Sequence, residues 1–134
     1  MRMRLMPLYT MVLVAALVAA ASTASAHHGG AVEYDAAAII GPLTGTVTRF
    51  AMNYPHPQVY FDVKNADGSV AQWAAMLRPT PAILRKHGWT RESMKPGDTI
   101  TITMWTHRSV PRLGNAVRLT VNGVLLAESV TALQ

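Results

Sequence analysis

The sequence predicts a small, mainly β domain of five strands with one helix between the third and the fourth. Three observations predict it. Val59, Phe61 and Val63 alternate with Tyr60, Asp62 and Lys64, and Ile100, Ile102 and Met104 alternate with Thr101, Thr103 and Trp105. That period of two is what a strand with one buried face requires. Turn dipeptides (Asp67-Gly68, Pro96-Gly97, Asn122-Gly123) punctuate these runs. Between them lies a short stretch with helix signals at both ends, Thr80-Pro81 before it and Gly88 after it.

Residues 1–26 read as a cleavable export signal. Arg2 and Arg4 supply its positive start, Met11 to Ala21 is an unbroken apolar run, and Ala24-Ser25-Ala26 is a small-residue cleavage site. The apolar run is shorter than the roughly 20 residues that a helix needs to cross a bilayer, which favours removal over anchoring. Residues 27–42 show no period and are expected to form an N-terminal arm, and residues 43–134 the β domain.

Gly41-Pro42 is a breaker that introduces the first strand, Thr44 to Met52, rich in threonine and valine. Tyr54-Pro55-His56-Pro57 is a loop, because two prolines cannot supply ladder donors. Val59 to Lys64 is the second strand, Asn65 to Gly68 a hairpin turn, and Val70 to Leu77 the third strand, carrying Trp73. Thr80 caps the helix, Ala82 to His87 forms its body, and Ile83, Leu84 and Trp89 face the sheet. Thr90 to Met94 adds a short turn, and Lys95-Pro96-Gly97-Asp98 suits a type II turn. Thr99 to Trp105 is the fourth strand, Ser109 to Gly114 a loop, and Val117, Leu119 and Val121 mark the fifth strand. Asn122-Gly123 then turns the chain into a short return, Val124 to Leu126. This order matches a small OB-like Greek-key barrel, the oligonucleotide/oligosaccharide-binding type, with its helix between strands three and four. The alternative is an open β-sandwich with the helix over one end.

The chain contains no cysteine, which excludes disulfides, thiolate metal sites, redox dithiols and a lipid-modified cysteine anchor. The formal net charge of +5 falls to +3 once Arg2 and Arg4 are removed. That charge is no nucleic-acid footprint, and export argues against nucleic acid as a partner. The expectation is an exported protein of the periplasm, or a secreted one, with no stable membrane anchor. There is no G-x-S-x-G elbow, no H-E-x-x-H and no phosphate-cradling glycine loop, so a non-catalytic protein is expected.

Five histidines carry the chemistry: His27, His28, His56, His87 and His107. Cleavage after Ala26 would make His27 the first residue, joining a free α-amine of reference pKa about 7.7–8.0 to a ring nitrogen in one chelate. In the barrel, His56 and His107 lie on the two loops that line one mouth. The amine and two or more imidazoles make a nitrogen set that favours Cu(II). Each has a plainer reading as well. The histidine pair can be a solvated start, His56 a loop residue bonded to backbone, His107 an exposed strand end, and His87 a cation at a helix C-terminus. Met52 and Met104 are either soft thioether ligands or core filling, with core favoured. Glu33 and Asp35 could supplement a metal site. Arg85-Lys86, Arg108, Arg112 and Arg118 are either an anion strip or scattered surface charge. Tyr54, Tyr60 and Trp105 are candidates for a ligand-stacking surface at the mouth, with Trp89 as a core plug.

His27-His28, Gly45-Thr46-Val47-Thr48-x-Phe50, Pro55-His56, Trp73, Gly88-Trp89-Thr90-Arg91 and Lys95-Pro96-Gly97-Asp98 together resemble a family of small exported bacterial proteins, domain of unknown function 6152. Its members typically begin with His-His-Ser after the signal and carry an Asn-Pro-His loop. Here Gly29 stands in place of that serine and Tyr54 in place of that asparagine, which removes an amide that would brace the loop. The resemblance implies an exported small β domain and brings no established activity. The expected function is that of a binding protein holding copper through His27, His28, His56 and His107. The alternatives are a carbohydrate- or peptide-binding barrel and a structural accessory that pairs with another exported protein.

Overall fold

The computed structural model describes residues 33–127. In chain order the elements are β1 (Tyr34–Ala51), β2 (Gln58–Lys64), β3 (Val70–Met76), α1 (Pro81–Lys86), β4 (Thr99–His107), β5 (Leu113–Val121) and β6 (Val124–Ala127). β1 pairs antiparallel with both β2 and β4, β2 with β3, and β4 with β5. A parallel pairing of Ala74–Met76 with Leu113–Asn115 joins β3 to β5 and closes a hydrogen-bonded ring of five strands. With the helix between β3 and β4, this is the Greek-key connectivity that the sequence predicts. The closing β3–β5 pair is what an open sandwich would lack. β6 is appended to β5 outside the ring.

β1 differs from the expected strand. It begins at Tyr34 rather than after Gly41-Pro42, so the second half of the supposed arm is strand, paired with β4 from Tyr34↔His107 to Thr46↔Thr99. Two irregularities hide it from a search for alternation. Register shifts between Asp35 and Ile39, and again between Ile40 and Leu43. The second shift contains Gly41, at φ +115°, and Pro42, which lacks a donor and is tolerated at a bulge. Beyond Thr46 the strand leaves β4 and pairs with β2, Thr46↔Asp62 to Ala51↔Gln58. One long strand thus serves two neighbours and bends the sheet into a ring.

The alternating residues point as their period requires. Val59, Phe61, Ile100, Ile102, Met104, Ala75, Leu119 and Val121 are buried in one core with Val47, and Leu84 of α1, Trp89 and Met94 complete it. Trp89 is the core plug expected, and Met52 and Met104 are core residues. In β5 the expected phase fails at Val117. A bulge opposite Thr103/Met104 leaves Val117 without a register partner and turns Ala116 inward instead.

The turns form as their chemistry dictates. Thr80 Oγ1 accepts from the Ile83 backbone N–H at the start of α1. At Lys95–Asp98 the Asp98 N–H donates to the Lys95 carbonyl, and Gly97 takes φ +94°. The Asp98 carboxylate then accepts from Lys95 N–H at 2.7 Å and from Asn122 Nδ2 at 3.0 Å, tying this turn to the β5–β6 turn. Chiefly the Asn122 bond, and next the Lys95 N–H, hold the Asp98 pKa below the usual carboxylate value. A carboxyl depressed in the fold adds stability that is complete above its unfolded pKa and is lost as pH falls through the folded one. The stability gap between the parent protein and Asp98→Asn is therefore expected to be wider at pH 6 than at pH 2 in urea titrations. An equal gap at both values would show that this tie contributes nothing through its charge.

Candidate functional site

A rim of register-paired residues runs round the ring, from the end of β1 back to its first half. Ala51 pairs with Gln58, Gln58 with Met76, Met76 with Asn115, Asn115 with Trp105, and Trp105 with Ile39. The β1–β2 loop (residues 52–57) follows Ala51 at the start of this path, and the β4–β5 loop (residues 108–112) follows β4 near its finish, twelve residues back along β1. The described chain also begins here. Tyr34 is paired with His107, the Arg108 N–H donates to the Glu33 carbonyl at 2.9 Å, and the Arg108 guanidinium lies 3.5 Å from the Asp35 carboxylate.

His56 stands in the first of these loops. Met52 and Pro57 are buried on either side of it, and the Pro57 carbonyl accepts from Leu77 N–H at 2.9 Å, so the loop is held at both ends. His56 is half-buried, and its Nδ1 is buried with no hydrogen-bond partner among the described residues. An orphaned ring nitrogen of this kind normally has a bond waiting for it. It lines a groove of about 290 Å³ with Ala51, Asn53, Tyr54, Pro55, Gln58 and Met76.

His107 is differently placed. Its Nδ1 accepts from Ser109 N–H at 3.1 Å and Val110 N–H at 3.0 Å, so a neutral ring carries its proton on Nε2. The imidazole thereby caps the β4–β5 turn. Ligation through Nε2 would require moving that proton to Nδ1 and breaking both bonds. The ring also meets Tyr34 edge-on, centroids 5.1 Å apart. His87 ends α1, exposed, as a helix C-terminal residue should be. His27 and His28, like the segment expected to be an export signal, lie outside the described residues. Among the described residues no three histidine, cysteine or carboxylate side chains are grouped to hold a metal.

Three rim residues escape sequence reasoning. Tyr34 is only 4% exposed, and its hydroxyl donates to Met76 Sδ at 3.9 Å. Burial raises its pKa, with Glu33 adding to the effect, so the phenol stays a neutral donor. Asn115 is buried at 1% exposure between Met76 and Trp105, with its Oδ1 unpartnered among the described residues. Met76 walls the groove beside His56. Their local sequence marks none of them, since Tyr34 and Met76 are separated by 42 positions.

The aromatic candidates are dispersed. Tyr54 lines the His56 groove. Tyr60 lines a separate one with Thr48, Arg49, Asp62, Gln72 and Trp73, and the Arg49 guanidinium covers its ring at 4.1 Å. Trp105 is half-buried beneath Arg78, 5.9 Å from its ring centroid. The basic residues do not form a strip: Arg85 and Lys86 end α1, Arg108 pairs with Asp35, and Arg118 follows the β5 bulge. Asp35 is engaged by Arg108 and by Ala37 N–H.

A family of unknown function (DUF6152) matches residues 15–116. No curated protein and no solved structure matches the chain.

Proposed function

The chain belongs to the DUF6152 family of unknown function, which supplies no activity, and we propose from its residues that it is an exported, non-catalytic copper-binding protein of the periplasm. The metal is held by the amine and ring of His27, with His28 beside it, and by His56 at the rim. The observation that carries this reading is the buried Nδ1 of His56, unpartnered among the described residues, in a groove walled by Met76, whose sulfur is bonded by Tyr34 at the start of β1. Glu33 is six residues from His27, a span of at most about 20 Å when extended, so the terminus can reach the groove. His107 is the weaker fourth candidate because its Nδ1 is already bonded twice. The sequence of residues 1–26 supports export. Among the described residues no helix is long and apolar enough to cross a membrane.

Calorimetric titration of protein processed to His27, its terminus verified by mass spectrometry, tests the reading. His56→Ala is expected to weaken Cu(II) binding about tenfold, roughly 1.4 kcal/mol. Its unfolding free energy should change by less than about 1 kcal/mol, because no hydrogen bond among the described residues is lost. Unchanged affinity would remove His56 from the site.

A further inference from the structure

Four methionines lie in the described residues, and three of them, Met52, Met94 and Met104, are sealed in the core. A ligand role for any of those three would require unpacking it. Met76 is different: it is half-buried, it ends β3, and it walls the same groove as His56. The Tyr34 hydroxyl donates to its sulfur and orients the side chain, and a thioether retains a second lone pair after accepting one bond.

We propose that Met76 and His56 form a soft-donor pair in this groove that binds monovalent copper. The inference rests on the copper reading above and deepens it by adding monovalent copper to the states that the site holds. Its reason is ligand softness. A thioether is a soft, polarizable donor that selects Cu(I), whereas nitrogen donors in a tetragonal set suit Cu(II). A site that joins the two kinds can keep copper in either state, the amine and imidazoles serving Cu(II) and the sulfur with His56 serving Cu(I). The metal arrives already monovalent, so no electron transfer is invoked. A Met76 that only filled the space under Tyr34 would give Cu(I) no such donor.

The test uses the processed full chain under anaerobic conditions, with Cu(I) competed against a chromogenic chelator and with Ag(I) as a redox-inert probe. With the methionine methyl groups labelled with ¹³C, one equivalent of Ag(I) is expected to shift the Met76 resonance and leave those of Met52, Met94 and Met104 in place. Met76→Leu, which keeps the apolar volume, is expected to weaken Cu(I) binding about tenfold while changing Cu(II) binding less than about twofold. A Met76 methyl that does not move, or undiminished Cu(I) affinity in Met76→Leu, overturns the proposal. A protein with one added N-terminal residue separates the two ideas. If it loses Cu(II) while Met76→Leu changes nothing, the soft pair fails and the terminal chelate stands. If it keeps Cu(II) affinity while Ag(I) still shifts Met76, the terminal chelate fails and the soft pair stands.

Discussion

Adding a single residue before His27 is expected to weaken Cu(II) binding by about a hundredfold, roughly 2.7 kcal/mol. The extra peptide bond turns the terminal amine into an amide, which is no longer a basic donor near neutral pH. It also breaks the chelate in which amine and imidazole bind as one unit, and a chelate gains its affinity by making the second bond intramolecular. Folding should be untouched, because the first buried core residue among those described is Tyr34, seven residues past His27. The matching pH dependence has a definite sign. Protons compete for the amine and the rings, so affinity falls as pH drops from about 8 to 6 in the processed protein. The extended protein, having no free amine at His27, should show the shallower curve. Equal affinity in the two proteins would end the terminal-chelate proposal.

Gly45→Ala is expected to destabilise the fold by about 3 kcal/mol, with no positive φ involved. Gly45 sits where β1 passes from β4 to β2, opposite Ile100 and one residue before Thr46, which pairs with both strands. A Cβ there would collide with the Asp62 carbonyl oxygen and press on the Phe61 ring at 3.0 Å. Backbone cannot swing aside as a flexible side chain can, so the strand must separate from β2 or Phe61 must leave its place. Gly97→Ala provides the contrast. Its added Cβ meets nothing within 4 Å, but its φ of +94° is strained for any L side chain, costing about 1–2 kcal/mol. Urea unfolding of the two variants should rank Gly45→Ala as the more damaging. The opposite order would show that the close approach of β1 to β2 is not what requires glycine at 45.

The candidate site was legible only in part. His56 could be found because two flanking prolines force a loop, and loops are where a ring can stand clear of the ladder. That its Nδ1 has no partner could not be found, since the groove is walled by Met76 from another strand. His107 looked equivalent in the sequence, yet its ring turns back onto the N–H groups two and three residues ahead. Among the methionines, Met104 shares its strand with Ile100 and Ile102 and follows them into the core, as alternation implies. Met76 gives no such indication of its role.

By itself the sequence determined what depends on near neighbours. The alternation in β2 and β4, the capped helix and the glycines with positive φ in the turns all follow from side-chain period and backbone sterics over a few residues. Only the tertiary structure decided that β1 reaches back to Tyr34, that β5 shifts phase at Val117, and that Ala74–Met76 meets Leu113–Asn115 to close the ring. A bulge or a closing pair is set by the strand on the other side, and that strand lies tens of residues away along the chain. The same physics assembled the rim. Tyr34, His56, Met76, His107 and Asn115 come from five separate segments, and only the closed ring of hydrogen bonds makes them neighbours.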